Sequence, residues 1–82
     1  MEQTREFSSL IELQEGRTAR IVSLDGGRGF REKMNGQGLF PGTEIAVVVV
    51  GDSAGMIVIS VGGSRLMIGH KMAERILIKE KY

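Results

Sequence analysis

The chain has 82 residues, 41% of them hydrophobic, and its eleven basic and ten acidic side chains leave a net charge of +1. This length predicts a single small domain, residues 1–82, and the charge balance excludes a general attraction to nucleic acid or anionic lipid. There are no cysteines, which excludes disulfides and thiolate metal sites, and the polar N-terminus lacks the apolar segment of a signal peptide. We expect a cytoplasmic domain that does not insert directly into a membrane.

Twelve glycines separate short apolar segments along the chain, a spacing typical of many short strands joined by tight turns. The segment from Leu10 to Gly16 ends in a turn, and a first strand follows from Thr18 to Leu24. Ala19 and Ile21 share one face of this strand, whereas Leu24 falls on the other. We therefore predict a bulge after Ile21, which would bring these side chains into one register.

The middle of the chain predicts a short helix over Phe30 to Met34, followed by a tight turn. Phe30 and Met34 have the i, i+4 spacing of one helical face, and Asn35-Gly36 would supply a left-handed stop. Pro41 favours the second position of a turn, and Gly42 can adopt the positive φ that a type II turn needs next. This turn fixes the start of a second strand, Thr43 to Val50.

The rest of the chain alternates strands with turns. The predicted elements are a hairpin loop (Gly51 to Gly55), a third strand (Met56 to Val61), a two-residue turn (Gly62-Gly63), a fourth strand (Ser64 to Ile68), a helical turn (Gly69 to Arg75) and a last strand (Ile76 to Lys79). About five short strands with two short helical turns predict a mainly β fold. An SH3-like, partly open barrel fits best, and an OB-fold comes second because its usual longer helix is missing.

The motifs also occur in the order found in one known family. They are Leu10 and Leu13 before Gly16, Ala19 and Ile21 on the first strand, the Gly38-Leu39-Phe40-Pro41-Gly42-Thr43 turn with Ile45 and Val47 beyond it, Leu66 and Ile68 on the fourth strand, and Ala73, Ile76 and Ile78 at the end. Over residues 8 to 80 the chain resembles the ferrous iron transport protein A (FeoA) family.

This resemblance implies an SH3-like barrel in bacteria that acts as a small cytosolic accessory to ferrous iron uptake. The implied partner is the cytoplasmic GTPase region of ferrous iron transport protein B, a membrane permease. Related barrels serve as interaction domains at the C-terminus of diphtheria-toxin-repressor-type metalloregulators. Neither role is catalytic. Membership also implies a general association with transition metals, which by itself places no ion on this chain.

The second strand is apolar on both faces, and strict alternation puts Ile45, Val47 and Val49 on one side and Ala46, Val48 and Val50 on the other. One interpretation is that the helical turns and the N-terminal segment cover the second set. The other is an exposed patch that docks a partner or a second copy of the chain. The candidate partner-binding residues are Leu39, Phe40, Val48, Val50, Arg65 and Met67.

His70 and Glu74 form an i, i+4 pair, which is too few ligands for a metal unless another chain supplies the rest. The alternative function is therefore a transition-metal-binding regulator that works through a metal-bridged dimer. A nucleic-acid-binding barrel is less favoured, because few aromatic residues accompany the arginines of the first third. The chain lacks a nucleophile elbow and closely paired acids, so we expect neither an enzyme nor a bound cofactor.

Overall fold

Antiparallel pairing of short strands builds the domain, of which the computed structural model describes residues 7–50 and 55–80. The elements are β1 (Ser8–Ser9), a 3₁₀ turn (Leu10–Glu12), β2 (Thr18–Leu24), α1 (Arg28–Gly36), β3 (Glu44–Val50), β4 (Met56–Val61), β5 (Ser64–Gly69), α2 (His70–Ala73) and β6 (Ile76–Glu80). They form one six-stranded sheet in the order β1-β6-β2-β3-β4-β5, which does not close into a full barrel within these residues. The mainly β, partly open architecture predicted from the sequence is confirmed.

The structure has six strands, one more than the sequence predicts, and the additional strand is β1, which pairs with the last strand. Ser8 pairs with Ile78 and Ser9 with Leu77, so β1 forms one edge of the sheet beside β6. The Ser9 hydroxyl also donates to the Ala73 carbonyl at 3.0 Å, which ties this edge to α2. A two-residue polar strand has no alternation to detect, and only its pairing defines it.

The core forms on one face of the sheet. Its side chains come from alternate strand positions together with the 3₁₀ turn, the end of α1 and α2; they are Leu10, Leu13, Ala19, Ile21, Leu24, Met34, Leu39, Ile45, Val47, Ile57, Ile59, Ile68, Ala73, Ile76 and Ile78. No polar or charged side chain is buried in the described part of the chain. Hydrophobic burial therefore stabilises the fold, at about 1.5–3 kcal/mol for each large side chain.

The predicted bulge in β2 is confirmed. Along the pairing with β6, Ile21 faces Ile78 but Ser23 faces Leu77, so Val22 is the extra residue. The extra residue reverses the alternation, and as a result Ile21 and Leu24 are both buried.

The turn before β3 has the predicted chemistry. Thr43 N–H donates to the Phe40 carbonyl at 3.0 Å, and Gly42 has a φ of 96°, as a type II turn requires. The turn is also joined to β2, because Gly42 N–H donates to the Ile21 carbonyl at 2.7 Å and Ile21 N–H donates to the Thr43 carbonyl at 2.8 Å. The start of β3 is thereby fixed beside the β2 bulge.

Helix α1 is longer than predicted, and the prediction that Asn35-Gly36 is its left-handed stop was wrong. The left-handed residue is Gly38, with a φ of 89°. Gly38 N–H donates to the Asn35 carbonyl and Leu39 N–H to the Met34 carbonyl, both at 3.0 Å. These two bonds form a Schellman motif, in which Leu39 and Met34 both enter the core. Apolar burial of Leu39 thus sets the end of the helix.

The second half follows the predicted order. Gly62 and Gly63 have φ values of 55° and 86°, and Val61 pairs with Ser64 across them, as in a two-residue type I′ hairpin. The predicted hairpin loop from Gly51 to Gly55 lies, except for Gly55, outside the described residues. Among residues 7–50 and 55–80, no helix has the length and apolarity needed to cross a membrane.

We expect Gly42→Ala to lower the free energy of unfolding by about 1–3 kcal/mol, because an L side chain is strained at this φ. The measurement is urea denaturation followed by circular dichroism. Gly29→Ala is the matched control, since Gly29 lies in α1 with ordinary helical geometry and nothing within 4 Å of an added Cβ. It should leave stability unchanged or raise it by up to about 1 kcal/mol. Equal losses in both variants would contradict the role of the turn.

Candidate docking surface

Three exposed or half-buried apolar side chains form a row across the outer face of the sheet. Val49 pairs with Val58 on β4, and Val58 pairs with Met67 on β5. Paired residues lie on the same face of an antiparallel sheet. Val58 lies between the buried Ile57 and Ile59, so this row must face outward. The relative exposures of Val49 and Met67, 46% and 63%, agree with that placement.

A second bulge, at Val48 in β3, creates this row. Val47 pairs with Ile59 but Val49 pairs with Val58, so Val48 is an extra residue on β3. Val47 is buried and Val48 half-buried, and the interrupted alternation places Val49 outside as well. We call the four residues Val48, Val49, Val58 and Met67 the outer patch.

The strict alternation predicted for β3 was therefore wrong beyond Val48. Val49 does not share the inner face of Ile45 and Val47. Val50 pairs with the buried Ile57 and returns to the inner side, but it is 41% exposed at the end of the strand. Its N–H donates to the Glu15 carboxylate at 2.9 Å, which holds this end of β3 against the segment before β2.

The structure places the other candidate contact residues in different settings. Leu39 is fully buried in the core, which removes it from any surface, because the Schellman motif draws it inward. Phe40 is 47% exposed, but it precedes β3, whose seven residues span about 20 Å, and so lies near the opposite end of that strand from Val49. Val48 and Met67 belong to the patch.

Arg65 lies one row from Met67 on the same face. It pairs with Ser60, and Ser60 pairs with Ala46, so a row of small side chains that ends in one exposed cation runs beside the apolar row. Val49 and Val58 were not predicted as contact residues from the sequence. No signal within the Val47–Val50 run could reveal the bulge, although the alternation of Ile57 and Ile59 on the neighbouring strand indicated that Val58 faces outward.

Methionines line a cavity next to the patch. A half-open space of about 240 Å³ lies between α1 and the end of β5, and its lining includes Met34, Met56, Met67 and Met72. Met34 forms the buried floor with an exposure of 1%, whereas Met67 reaches the surface. Thioether side chains adapt to the shape of what they contact, so this region can accommodate apolar groups of different shape.

The possible metal and anion sites are poorly developed. His70 Nδ1 lies 3.5 Å from Glu74 Oε2, and both side chains are about half exposed. No group of three or more potential ligands occurs within the residues that the structure describes. In the loop before α1, the Gly26 carbonyl accepts a hydrogen bond from Arg31 Nη1 at 2.6 Å, so a side chain of the helix contacts this loop directly.

The open, six-stranded antiparallel sheet of short strands with two short helices places the chain among the SH3-like small β domains. Within that class the FeoA domain model matches residues 8–80, and the chain belongs to this family. A crystal structure of an iron uptake regulatory protein (FeoA) shares 36% identity over 92% of this chain and 97% of its own, with a TM-score of 0.81. Membership supports involvement in ferrous iron transport.

Two other solved structures extend the comparison. Iron(II) transport protein A from Clostridium thermocellum shares 30% identity over 88% of this chain and 44% of its own, with a TM-score of 0.82. A manganese-dependent transcriptional repressor shares the fold alone, with 18% identity over 95% of this chain and 43% of its own and a TM-score of 0.87. A comparison with curated proteins found no match.

The neighbours Leu39 and Phe40 allow a direct test of what is core and what is surface. We expect Leu39→Ala to lower the free energy of unfolding by about 2–5 kcal/mol, because it leaves a cavity in the core. Phe40→Ala should cost at most about 1 kcal/mol, because the side chain is half exposed. Urea denaturation of both variants measures the difference, and a larger loss in Phe40→Ala would show that the assignment is wrong.

Proposed function

We propose that this protein is a small cytosolic accessory of bacterial ferrous iron uptake. It acts as an interaction module on the cytoplasmic GTPase region of ferrous iron transport protein B and does not enter the membrane. The observation that carries this proposal is the apolar row of Val49, Val58 and Met67 on the outer face of the sheet. Family membership supports the link to ferrous iron transport. The outer patch is the surface that would contact the partner.

The patch has the composition of a small docking surface. Val48, Val49 and Val58 are β-branched side chains on a rigid sheet, so little rotamer freedom would be lost when a partner covers them. Met67 is flexible and 63% exposed, which suits contact with a surface that changes shape. Arg65, on the adjacent row, would meet a carboxylate at the rim of such an interface.

Docking can regulate the partner only through unequal affinity for its conformations. A GTPase region adopts different conformations with GDP and GTP, and a module that binds one of them more tightly shifts the population toward it. The proposed role is contact through the outer patch, and no residue of that patch carries a carboxylate, imidazole or thiolate ligand for a metal. The protein would alter the transporter by contact alone.

We expect Val49→Lys to weaken binding to the purified GTPase region by at least about tenfold, because a charge in the outer patch would have to be desolvated when the partner covers it. The measurement is calorimetric titration with GDP and with a non-hydrolysable GTP analogue. Asn35→Lys, on the exposed side of α1, adds the same charge elsewhere and should bind like the unmodified protein. Circular dichroism checks that both variants fold.

Two results would contradict the proposal. If the unmodified protein does not bind the GTPase region with either nucleotide, the partner is wrong. If it binds and Val49→Lys binds equally well, the partner stands and the outer patch is not the contact surface.

A further inference from the structure

Met67 lies where the outer patch meets the methionine-lined cavity. It is 63% exposed, it ends the apolar row that runs from Val49 through Val58, and it also lines the cavity between α1 and the end of β5. A methionine side chain is unbranched and flexible, so Met67 can contact either the row or the cavity. A chemical change at this thioether therefore alters both surfaces.

The methionines that line the cavity differ widely in their exposure to solvent. Met34 is 1% exposed, Met56 and Met72 are half-buried, and Met67 is 63% exposed. Their thioethers are chemically alike, so the rate at which a peroxide oxidises each one follows how readily the oxidant reaches the sulfur. The fold thus presents Met67 to an oxidant and protects Met34.

We propose that Met67 is a site of reversible oxidation by peroxides, and that its oxidation makes the apolar end of the outer patch polar. The sulfur attacks one oxygen of hydrogen peroxide, an S–O bond forms and the O–O bond breaks. The proton of the transferred oxygen passes to the departing hydroxide, which leaves as water. The sulfur loses two electrons, the peroxide gains them, and the product is methionine sulfoxide. Two sulfoxide reductases, one for each epimer at sulfur, restore the thioether with a thiol as reductant.

The sulfoxide is poorly matched to the row in which Met67 lies. Its oxygen is a strong hydrogen-bond acceptor, whereas Val58, the cross-strand neighbour, and Val49 beyond it present only hydrocarbon side chains. A partner that covers the row would have to remove water from this oxygen without replacing its hydrogen bonds. Oxidation therefore weakens apolar contact through the outer patch.

The cavity offers the oxidised side chain a better position. Lys33 and Gln37, four residues apart at the end of α1, both line the cavity and carry the side-chain donors that a sulfoxide oxygen needs. When Met67 turns toward them, it moves away from Val58. The cavity thus favours a position of the oxidised side chain that shortens the apolar row to Val49 and Val58.

The consequence for regulation rests on the proposed function, because the contact that oxidation would weaken is the docking of the outer patch on the GTPase region. The modification itself depends on no partner and can be measured on the isolated protein.

Peptide mapping of the folded protein after treatment with hydrogen peroxide and a metal chelator tests the site. Trypsin then releases residues 66–71, in which Met67 is the only methionine, whereas Met34 and Met56 share residues 34–65 and are distinguished by fragmentation in the mass spectrometer. We expect Met67 to oxidise at least about tenfold faster than Met34, and faster than Met56 and Met72. Equal rates, or an earlier oxidation of Met56 or Met72, would overturn the proposal.

The effect on the surface is measured on the oxidised protein by native hydrophobic-interaction chromatography and by titration with the GTPase region. We expect earlier elution and binding weakened at least about tenfold, with both changes reversed by the two sulfoxide reductases. Two variants are each compared with themselves before and after peroxide. Met67→Leu should change in neither measurement, whereas Met72→Leu, which keeps Met67, should respond as the unmodified protein does.

The two measurements separate a failure of this inference from a failure of the proposed function. If the untreated protein does not bind the GTPase region, the proposed function fails, while selective oxidation of Met67 with earlier elution still supports the modification site. If the untreated protein binds and the oxidised protein elutes or binds without change, the inference is wrong. It is also wrong if Met67→Leu responds to peroxide as strongly as the unmodified protein.

Discussion

The attachment of the Pro41-Gly42 turn to the β2 bulge is the constraint on which the rest of the sheet depends. Ile21 bonds the turn through both its N–H and its carbonyl, at 2.8 and 2.7 Å. The same residue faces Ile78 on β6, so the bulge, the turn and the central pairing of the sheet meet at one place. Because register errors in a strand move every side chain to the other face, fixing β3 here determines which valines are buried.

Once β3 is placed, the surface follows from its second bulge. A regular strand would have turned Val49 inward, whereas the extra residue at Val48 leaves Val49 aligned with Val58 and Met67. Bulges commonly re-aim side chains near functional surfaces, and here the result is an apolar row next to a methionine-lined cavity. The FeoA domain thus presents Val49, Val58 and Met67 on the half of the sheet that ends in the terminal strand β5.

The sequence predicts those parts of the fold in which individual residues have strong backbone preferences or interrupt the alternation of a strand. Pro41, Gly42 and the Gly62-Gly63 pair specify turns by their backbone preferences, and the mismatch of Leu24 with Ile21 reveals a bulge. The bulge at Val48 could not be predicted, because a run of valines looks the same in either register. Leu39 was placed on the surface because its burial depends on a helix ending that only the folded chain defines.

The position of β6 has a consequence for how the protein is made. β6 lies inside the sheet between β1 and β2, and it contributes Ile76 and Ile78 to the core, yet it follows every other described element in the chain. During synthesis β2 therefore has one side unpaired and the core is incomplete until residues 76–80 have left the ribosome. Pairing so distant in sequence also makes folding slow relative to that of a helical domain of this size. In the nascent chain, β2 therefore stays unpaired on one side until β6 has been synthesised.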